Sequence, residues 1–210
     1  MSGYQYILLD KDPKEHIATL TLNRPDRRNA LNDVMQDEIG DAIEEVESDN
    51  SIRVMVVTGS GRVFCAGGDL DQLQGGSQSA GWVSENTDDI RRAFQRTQRF
   101  MLGLQRMEKP VIAMLNGAAV GAGFDLACGC DIRIGTPRSR FMVAYIRIGL
   151  FPGFGGTWLY PRALGSIGKA AELLFTGDFL EADDAHRLGF LNHLVSEEEL
   201  ESTTMEMAKK

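Results

Sequence analysis

Only three cysteines, Cys65, Cys128 and Cys130, occur in 210 residues. That odd number offers no disulfide framework, and without a second ligand cluster it supports no zinc site, so small buried thiols in a reducing compartment are expected. Long hydrophobic runs are missing as well. The longest, residues 54 to 57 and 111 to 115, fall far short of the roughly 20 residues that cross a bilayer. The opening residues Met1-Ser2-Gly3-Tyr4-Gln5 lack the basic-then-apolar pattern of a secretion signal. The expectation is therefore a soluble, cytoplasmic protein with no membrane partner. Positive charge is scarce: 22 Lys and Arg stand against 30 Asp and Glu, for a net charge of −8. A nucleic-acid partner, which needs a clustered basic face, is argued against.

What is present suits one well-buried α/β domain spanning residues 1 to 210, since 43% of the residues are hydrophobic and the length is too small for two domains of ordinary size. Residues 4 to 9 and 16 to 22 read as a hairpin joined by the turn-forming Asp10-Lys11-Asp12-Pro13. From Asn32, a plausible N-cap, Met35, Ile39, Ala42, Ile43 and Val46 recur at helical spacing with acids on the other face. Residues 53 to 58 form a β-branched run ended by Gly59-Ser60-Gly61, as expected of a strand buried on both faces. Residues 72 to 88, rich in Gly, Ser, Gln and Asn, read as a mobile loop. Ile90, Phe94, Met101 and Leu104 mark a helix over residues 88 to 107, which Lys109-Pro110 stops before a buried strand at residues 111 to 115. Beyond Gly165 the pattern is mainly helical, with a short strand near residues 190 to 195.

The most informative stretch is residues 117 to 131, where small residues in a turn, expected to be exposed, run straight into a helix carrying Asp125 in its first turn. The first N–H groups of a helix lack internal partners and sit at its positive end, so an anion or developing oxyanion is favoured there. A second small-residue turn, Phe64-Cys65-Ala66-Gly67-Gly68-Asp69-Leu70, follows the strand at residues 53 to 58. Two donors from separate loops could form an oxyanion hole. A dinucleotide fingerprint starting at Gly121-Ala122-Gly123 fails, because Leu126 occupies the third glycine's place.

These segments, with Asn23-Arg24-Pro25, Arg28-Asn29-Ala30-Leu31, Lys109-Pro110-Val111, Asn116-Gly117, Gly149-Leu150-Phe151-Pro152-Gly153, Gly155-Gly156-Thr157 and Thr176-Gly177, resemble the crotonase superfamily, or enoyl-CoA hydratase/isomerase family. The resemblance spans nearly the whole chain. It implies a crotonase-like spiral of ββα units with a helical C-terminal part over residues 165 to 210. It also implies a further helical region, used for trimer packing and for covering the acyl pocket, which this sequence does not contain. Either the chain is truncated relative to the family, or its pocket and assembly are built differently.

By the family's pattern, the backbone N–H groups of Gly68 and Ala122 hold the thioester oxygen, and Asp125 takes the place of the first catalytic carboxylate. Tyr145 stands where hydratases carry a second one. A phenol with a pKa near 10 donates a hydrogen bond but is a poor general base. Gly153 replaces the Asp that dienoyl-CoA isomerases and some dehalogenases carry, which disfavours those activities. The resemblance places Ala66, Gly68, Asp69 and Leu70 against the acyl-CoA, and Arg27 and Arg28 beside the coenzyme A phosphates and adenine. Since coenzyme A is anionic and the chain acidic, such local cations are needed. His16, His186 and His193 match no catalytic position and read as surface or helix residues. No metal or redox cofactor is implied, coenzyme A arriving as part of the substrate. A homo-oligomer, trimer or hexamer, is implied where the C-terminal region is present. The expected activity is of enoyl-CoA hydratase/isomerase type with Asp125 as proton-transfer group. A thioester hydrolase or decarboxylase, and a non-catalytic acyl-CoA binder, are the alternatives.

Overall fold

Runs of alternating or continuous apolar residues at 17–22, 54–59 and 111–115 supply the central strands. The computed structural model describes residues 3–73 and 86–210. Six strands, β1 (Ile7–Asp12), β2 (Ile17–Leu22), β3 (Val54–Gly59), β4 (Val111–Leu115), β6 (Ile132–Gly135) and β9 (His193–Leu194), form one sheet in the order β1-β2-β3-β4-β6-β9. Only β1 and β2 are antiparallel; the others run parallel, with Ile17 opposite Val54, Met55 opposite Val111 and Ile112 opposite Ile132. A smaller sheet joins β5 (Ala119–Val120), β7 (Arg140–Met142) and β8 (Phe179–Glu181).

Side chains alternate across a strand, and the large sheet is covered on both faces. Met55, Val57, Val111 and Ala113 face a main core with α1 (Asp33–Ser48), α3 (Thr87–Arg106) and α4 (Ala122–Gly129). Val56, Ile112 and Ile134 face the other way, against Leu200 and Ala208 of α8 (Leu200–Ala208). In α1 the expected stripe of Met35, Ile39, Ala42, Ile43 and Val46 is buried, and Asn32 caps the helix by accepting from the Met35 N–H at 2.8 Å. The charged faces of α1 and α3 meet: Arg96 reaches Asp33 and Asp37, and Arg99 reaches Asp41 and Glu44. Partly exposed pairs of this kind add little stability each. Between β4 and the C-terminus lie α5 (Gly156–Ala163), α6 (Ile167–Thr176) and α7 (Ala182–Arg187), while the short α2 (Leu70–Leu73) follows the first small-residue turn.

Several boundaries differ from the sequence expectations. Strand β1 continues through Asp10, Lys11 and Asp12, pairing Asp12 with Ile17, so the hairpin turn lies at residues 13–16. Asp12 Oδ1 accepts from the N–H groups of Lys14 and Glu15, and His16 takes a φ of 63°. An edge strand tolerates charges on its open face, and Lys11 pairs there with Glu45 and Asp49. The loop expected at residues 72–88 lies largely outside the described residues; helices hold residues 70–73 and 87–106 on either side. Within α3, Met101 and Leu104 are buried but Ile90 and Phe94 are not fully so. The turn at residues 117–121 is not exposed, and α4 after it is buried at every residue, because it packs between α3, α5 and the small sheet; within the stretch only Asp131 is exposed.

The loop after β3 is held by one side chain. Asn29, fully buried and in the left-handed region at φ 56°, donates through Nδ2 toward the carbonyls of Ser60, Val63 and Phe64 and accepts from the Arg24 N–H. Unpartnering buried carbonyls costs about 1–3 kcal/mol, and the left-handed backbone suits Asn better than Ala. Replacing Asn29 by Ala should therefore lower the urea-unfolding free energy by roughly 2–4 kcal/mol. Asn29→Asp, which keeps the shape but turns an acceptor toward three carbonyls, should cost at least as much. An N29D protein as stable as wild type would show that this clamp contributes nothing.

Candidate active site

Strands β3 and β4 are parallel neighbours, so the loops that follow them leave the sheet at the same edge. A backbone bridge ties the two loops: the Cys65 N–H donates to the Ala118 carbonyl at 3.2 Å, and the Val120 N–H to the Cys65 carbonyl at 2.9 Å. Glycine permits this approach. A Cβ on Gly123 would sit 2.4 Å from the Cys65 carbonyl oxygen, and one on Gly67, at φ +99°, would sit 2.7 Å from that of Val120.

On the far side of the first loop, Leu31 bridges Gly68 in parallel, its N–H donating to the Gly67 carbonyl and its carbonyl accepting from the Asp69 N–H. The residue between those two contacts turns its own N–H to the opposite side, so the Gly68 N–H points away from Leu31. In the second loop Gly121, at φ 52°, donates to the Met142 carbonyl, and its own carbonyl accepts from the N–H groups of Phe124 and Asp125. Ala122 is the first residue of α4, where an N–H has no partner inside the helix. Among the described residues, neither the Gly68 nor the Ala122 N–H is hydrogen-bonded.

Both residues line one cavity of about 420 Å³. Its walls are mostly apolar: Ile90 and Phe94 from α3, Met142 from β7, and Ile148, Phe151 and Phe154 from the segment before α5. The Phe94 and Phe151 rings stack with centroids 6.0 Å apart. Two carboxylates reach the wall, and both are ion-paired, Asp33 with Arg96 and Asp69 with Arg24, each at 2.9 Å. Burial pushes the Asp33 pKa up in spite of Arg96.

Tyr145 also lines the cavity, from a single 3₁₀ turn over Ala144–Ile148. Its hydroxyl donates to Asp125 Oδ2. Asp125 itself is fully buried and does not line the cavity. The order from the cavity inward is thus phenol, then carboxylate. Burial away from water pushes the Asp125 pKa up to about 7, the hydrogen bond from Tyr145 and the nearby Tyr160 hydroxyl holding it back. Desolvation and the adjacent carboxylate push the Tyr145 pKa well above its ordinary value, so the phenol is the protonated partner of the pair. Cys65, buried beneath the bridge with its thiol on the Asn29 carbonyl, is pushed up to about 12 by burial. Burial and the raised pKa both weigh against a nucleophilic role.

Of the residues singled out in the sequence, Ala66, Gly68, Asp69, Leu70, Ala122 and Tyr145 come together on the cavity wall, and Asp125 stands directly behind Tyr145. Arg27 and Arg28 do not line the cavity. Arg27 pairs with Asp71 at 2.7 Å on the surface, while Arg28 is exposed and its carbonyl accepts from the Ala66 N–H. Sequence reading missed the roles of Ile90, Phe94 and Tyr160. Ile90 and Phe94 fit the helical stripe and read as core. Tyr160 sits in a helix interrupted by Pro161, and no periodicity marks it. Among the described residues no group of three or more His, Cys, Asp or Glu could hold a metal ion, and no helix is long and apolar enough to cross a membrane.

The sequence profile of the enoyl-CoA hydratase/isomerase family matches residues 12–210. Among curated relatives, the 1,2-epoxyphenylacetyl-CoA isomerase of Escherichia coli is 38% identical over 92% of this chain and 71% of its own length. The crotonyl-CoA hydratase of Syntrophomonas wolfei is 39% identical over 94% of this chain and 72% of its own. Among solved structures, a putative enoyl-CoA hydratase from Streptomyces coelicolor superposes with a TM-score of 0.89 at 31% identity, covering 100% of this chain and 74% of that one. On these matches and on the crotonase-type architecture they share with it, the chain belongs to the enoyl-CoA hydratase/isomerase family.

Proposed function

We propose that the protein is an acyl-CoA enzyme of enoyl-CoA hydratase/isomerase type, which forms or accepts a thioester enolate in the cavity between the two bridged loops. The observation that carries this reading is the pair of unsatisfied N–H groups, on Gly68 and Ala122, facing an apolar cavity that Tyr145 also lines. A fixed pair of donors stabilises charge that develops on a thioester oxygen, and losing one such donor typically costs about 3 kcal/mol of transition-state stabilisation.

Proton movement in this reading runs through the Asp125–Tyr145 pair. The Tyr145 oxygen takes a proton from the carbon next to the thioester while its own proton passes to Asp125 Oδ2. The C–H electron pair shifts through the carbon skeleton onto the thioester oxygen, which Gly68 and Ala122 hold. The reverse transfer delivers a proton to the enolate. Asp125 thus serves as the proton-transfer group with Tyr145 as its contact to substrate, and a carboxylate with a pKa near neutrality suits both directions. Asp33 and Asp69, the carboxylates on the wall, are committed to arginines, which favours proton transfer over direct activation of water. Arg28 and Arg27 are the cations for the coenzyme A phosphates, and neither metal nor redox cofactor takes part. The exposed Ile167 and Phe175 of α6 offer apolar surface for a homo-oligomer.

Proton exchange at the α-carbon of a saturated acyl-CoA in deuterated water, followed by mass spectrometry, tests the reading. It is run beside assays of enoyl-thioester absorbance and free thiol. Exchange should occur, with loss of the enoyl band and no thiol release. Thiol release would make the protein a hydrolase, and acyl-CoA binding with no turnover in any assay would make it a binder only. Tyr145→Phe and Asp125→Asn should each lower the exchange rate by roughly 100-fold or more while leaving the Kd for acyl-CoA within about threefold.

The same carboxyl group links stability to pH. Its folded pKa, about 7, lies above the value near 3.9 of an unfolded Asp, so the native state binds the extra proton. Its stabilising contribution is complete below pH 4 and is lost as pH rises through 7. The Asp125→Asn protein should therefore gain on wild type by on the order of 2–4 kcal/mol between pH 4 and pH 8, measured by urea unfolding at both values. Parallel losses in the two proteins would mean that Asp125 ionises as it does in the unfolded chain.

A further inference from the structure

Asp125 has a second neighbour that the proton path does not use. Tyr160, on α5, is fully buried, and its ring stacks on Phe124 with centroids 4.9 Å apart and an interplanar angle of 24°. Its hydroxyl is buried without a hydrogen-bond partner, and so is Asp125 Oδ1, the oxygen that Tyr145 leaves free. The two lie side by side. A Cβ on Gly156 would meet Asp125 Oδ1 at 2.5 Å and the Tyr160 ring carbons Cε2 and Cζ at 2.6 Å, so Oδ1 and the carbon bearing the hydroxyl are at most about 5 Å apart.

An unpartnered buried hydroxyl costs about 1–3 kcal/mol, and a phenylalanine would make the same stack on Phe124 without that cost. The hydroxyl therefore needs a reason outside packing, and the free carboxylate oxygen beside it supplies one. We propose that the Tyr160 hydroxyl is a positioning residue for Asp125: it closes on Oδ1 as a second hydrogen-bond donor when the carboxylate ionises, and so sets the pH at which Asp125 exchanges its proton with Tyr145. This rests on the reading of Asp125 as the proton-transfer group.

The groups that face the carboxylate are few. They are Tyr145 from the turn before α5, Tyr160 from α5 itself and Cys128 from the same helix as Asp125. Burial pushes the Cys128 thiol well up, so it stays neutral, and Arg133 acts on Cys128 and Cys130. Tyr160 already holds the Asp125 pKa down although no hydrogen bond of normal length and angle joins them. Closing the remaining gap strengthens an effect that is present. Hydrogen bonds to the charged form are what favour ionisation of a buried carboxylate, and with two phenols the Asp125 anion is donated to on both oxygens. Gly156 makes the arrangement possible, since any side chain there would wedge between the two groups.

The test is a titration of Asp125 by NMR on protein carrying ¹³C-labelled aspartate carboxyls, with the resonance assigned by its absence in Asp125→Asn. Tyr160→Phe keeps the ring stack and should raise the apparent pKa of Asp125 by about one unit, moving the pH profile of α-proton exchange by the same amount, with thermal stability unchanged or increased. Incorporation of 3-fluorotyrosine at position 160, which makes the phenol a stronger donor without altering the fold, should shift both in the opposite direction. A titration that stays in place in the two proteins overturns the proposal, whatever happens to stability. The outcome is separable from that of the enzymatic reading: a shifted titration without any exchange would remove the proposed reaction and leave Tyr160 in its role, while exchange with an unshifted titration would do the reverse.

Discussion

The backbone bridge between Cys65 and Ala119 is the constraint on which the site depends. It draws two loops from neighbouring parallel strands within hydrogen-bonding distance, and it depends on Gly67 and Gly123 beside the crossing, where a Cβ would meet the opposite loop's backbone. Similar crowding recurs just upstream in each loop. A Cβ on Gly59 would lie 2.3 Å from the Phe64 carbonyl oxygen, and one on Gly117 would lie 2.1 Å from that of Arg62. With the backbones so close, the N–H groups of residues 65 and 120 are consumed by the bridge, while those of Gly68 and Ala122, three and two residues farther on, have no partner among the described residues, and both residues line the one cavity. Unsatisfied donors of this kind are a cost to folding, which a chain sustains where the surrounding sheet and helices over-determine the backbone.

Burial of Asp125 follows from the same geometry. Helix α4 must start at the bridged loop, and its whole length then passes through the main core, so a carboxylate in its first turn has no route to water. Ionisation there would be strongly disfavoured by desolvation alone. The helix start supplies some compensation, and a phenol supplies more. Tyr145 stands between that carboxylate and the cavity, protonated and donating inward.

Much of the fold was legible because its determinants are local. The stripe of Met35 through Val46, the cap at Asn32 and the continuous apolar runs of β3 and β4 each express a periodicity or a burial that does not depend on a distant partner. The small-residue turns were legible for a related reason, since close backbone approach excludes almost every residue but glycine and alanine. What could not be read depends on partners far away in sequence. Strands β7 and β8 hold three residues each and exist because they pair with each other and β7 also with β5. The charged end of β1 stays extended because β2 offers a register through Asp12. Ile90 and Phe94 share a helical stripe with true core residues, and only the position of the turn before α5 makes them cavity wall instead. Tyr160 was invisible for the same reason: its meaning lies in Asp125, 35 residues earlier, and in the absence of a side chain at Gly156.

Electrostatics across the site follows a division that the net charge of −8 makes necessary. An anionic substrate approaching an acidic chain needs cations at the surface, and those near the first loop differ in how firmly they are held, Arg27 by the exposed Asp71 alone. Arg24 is spent, held between Asp69, the Ala30 carbonyl and the Tyr6 ring, and it stiffens the first loop from outside the cavity. Arg28 is left facing solvent by its own backbone, which at φ 51° sends its carbonyl to the Ala66 N–H and its side chain away from the loop. The neighbouring left-handed residue, Asn29, is the one whose amide clamps residues 60 to 64. One left-handed pair of residues therefore goes with two features at once: it fixes the loop that presents Gly68, and it leaves Arg28 exposed. Relaxing either φ to an ordinary helical or extended value would break the Arg28–Ala66 bond or the Asn29 clamp, so the wall of the cavity at Ala66 to Gly68 rests on the same two dihedral angles.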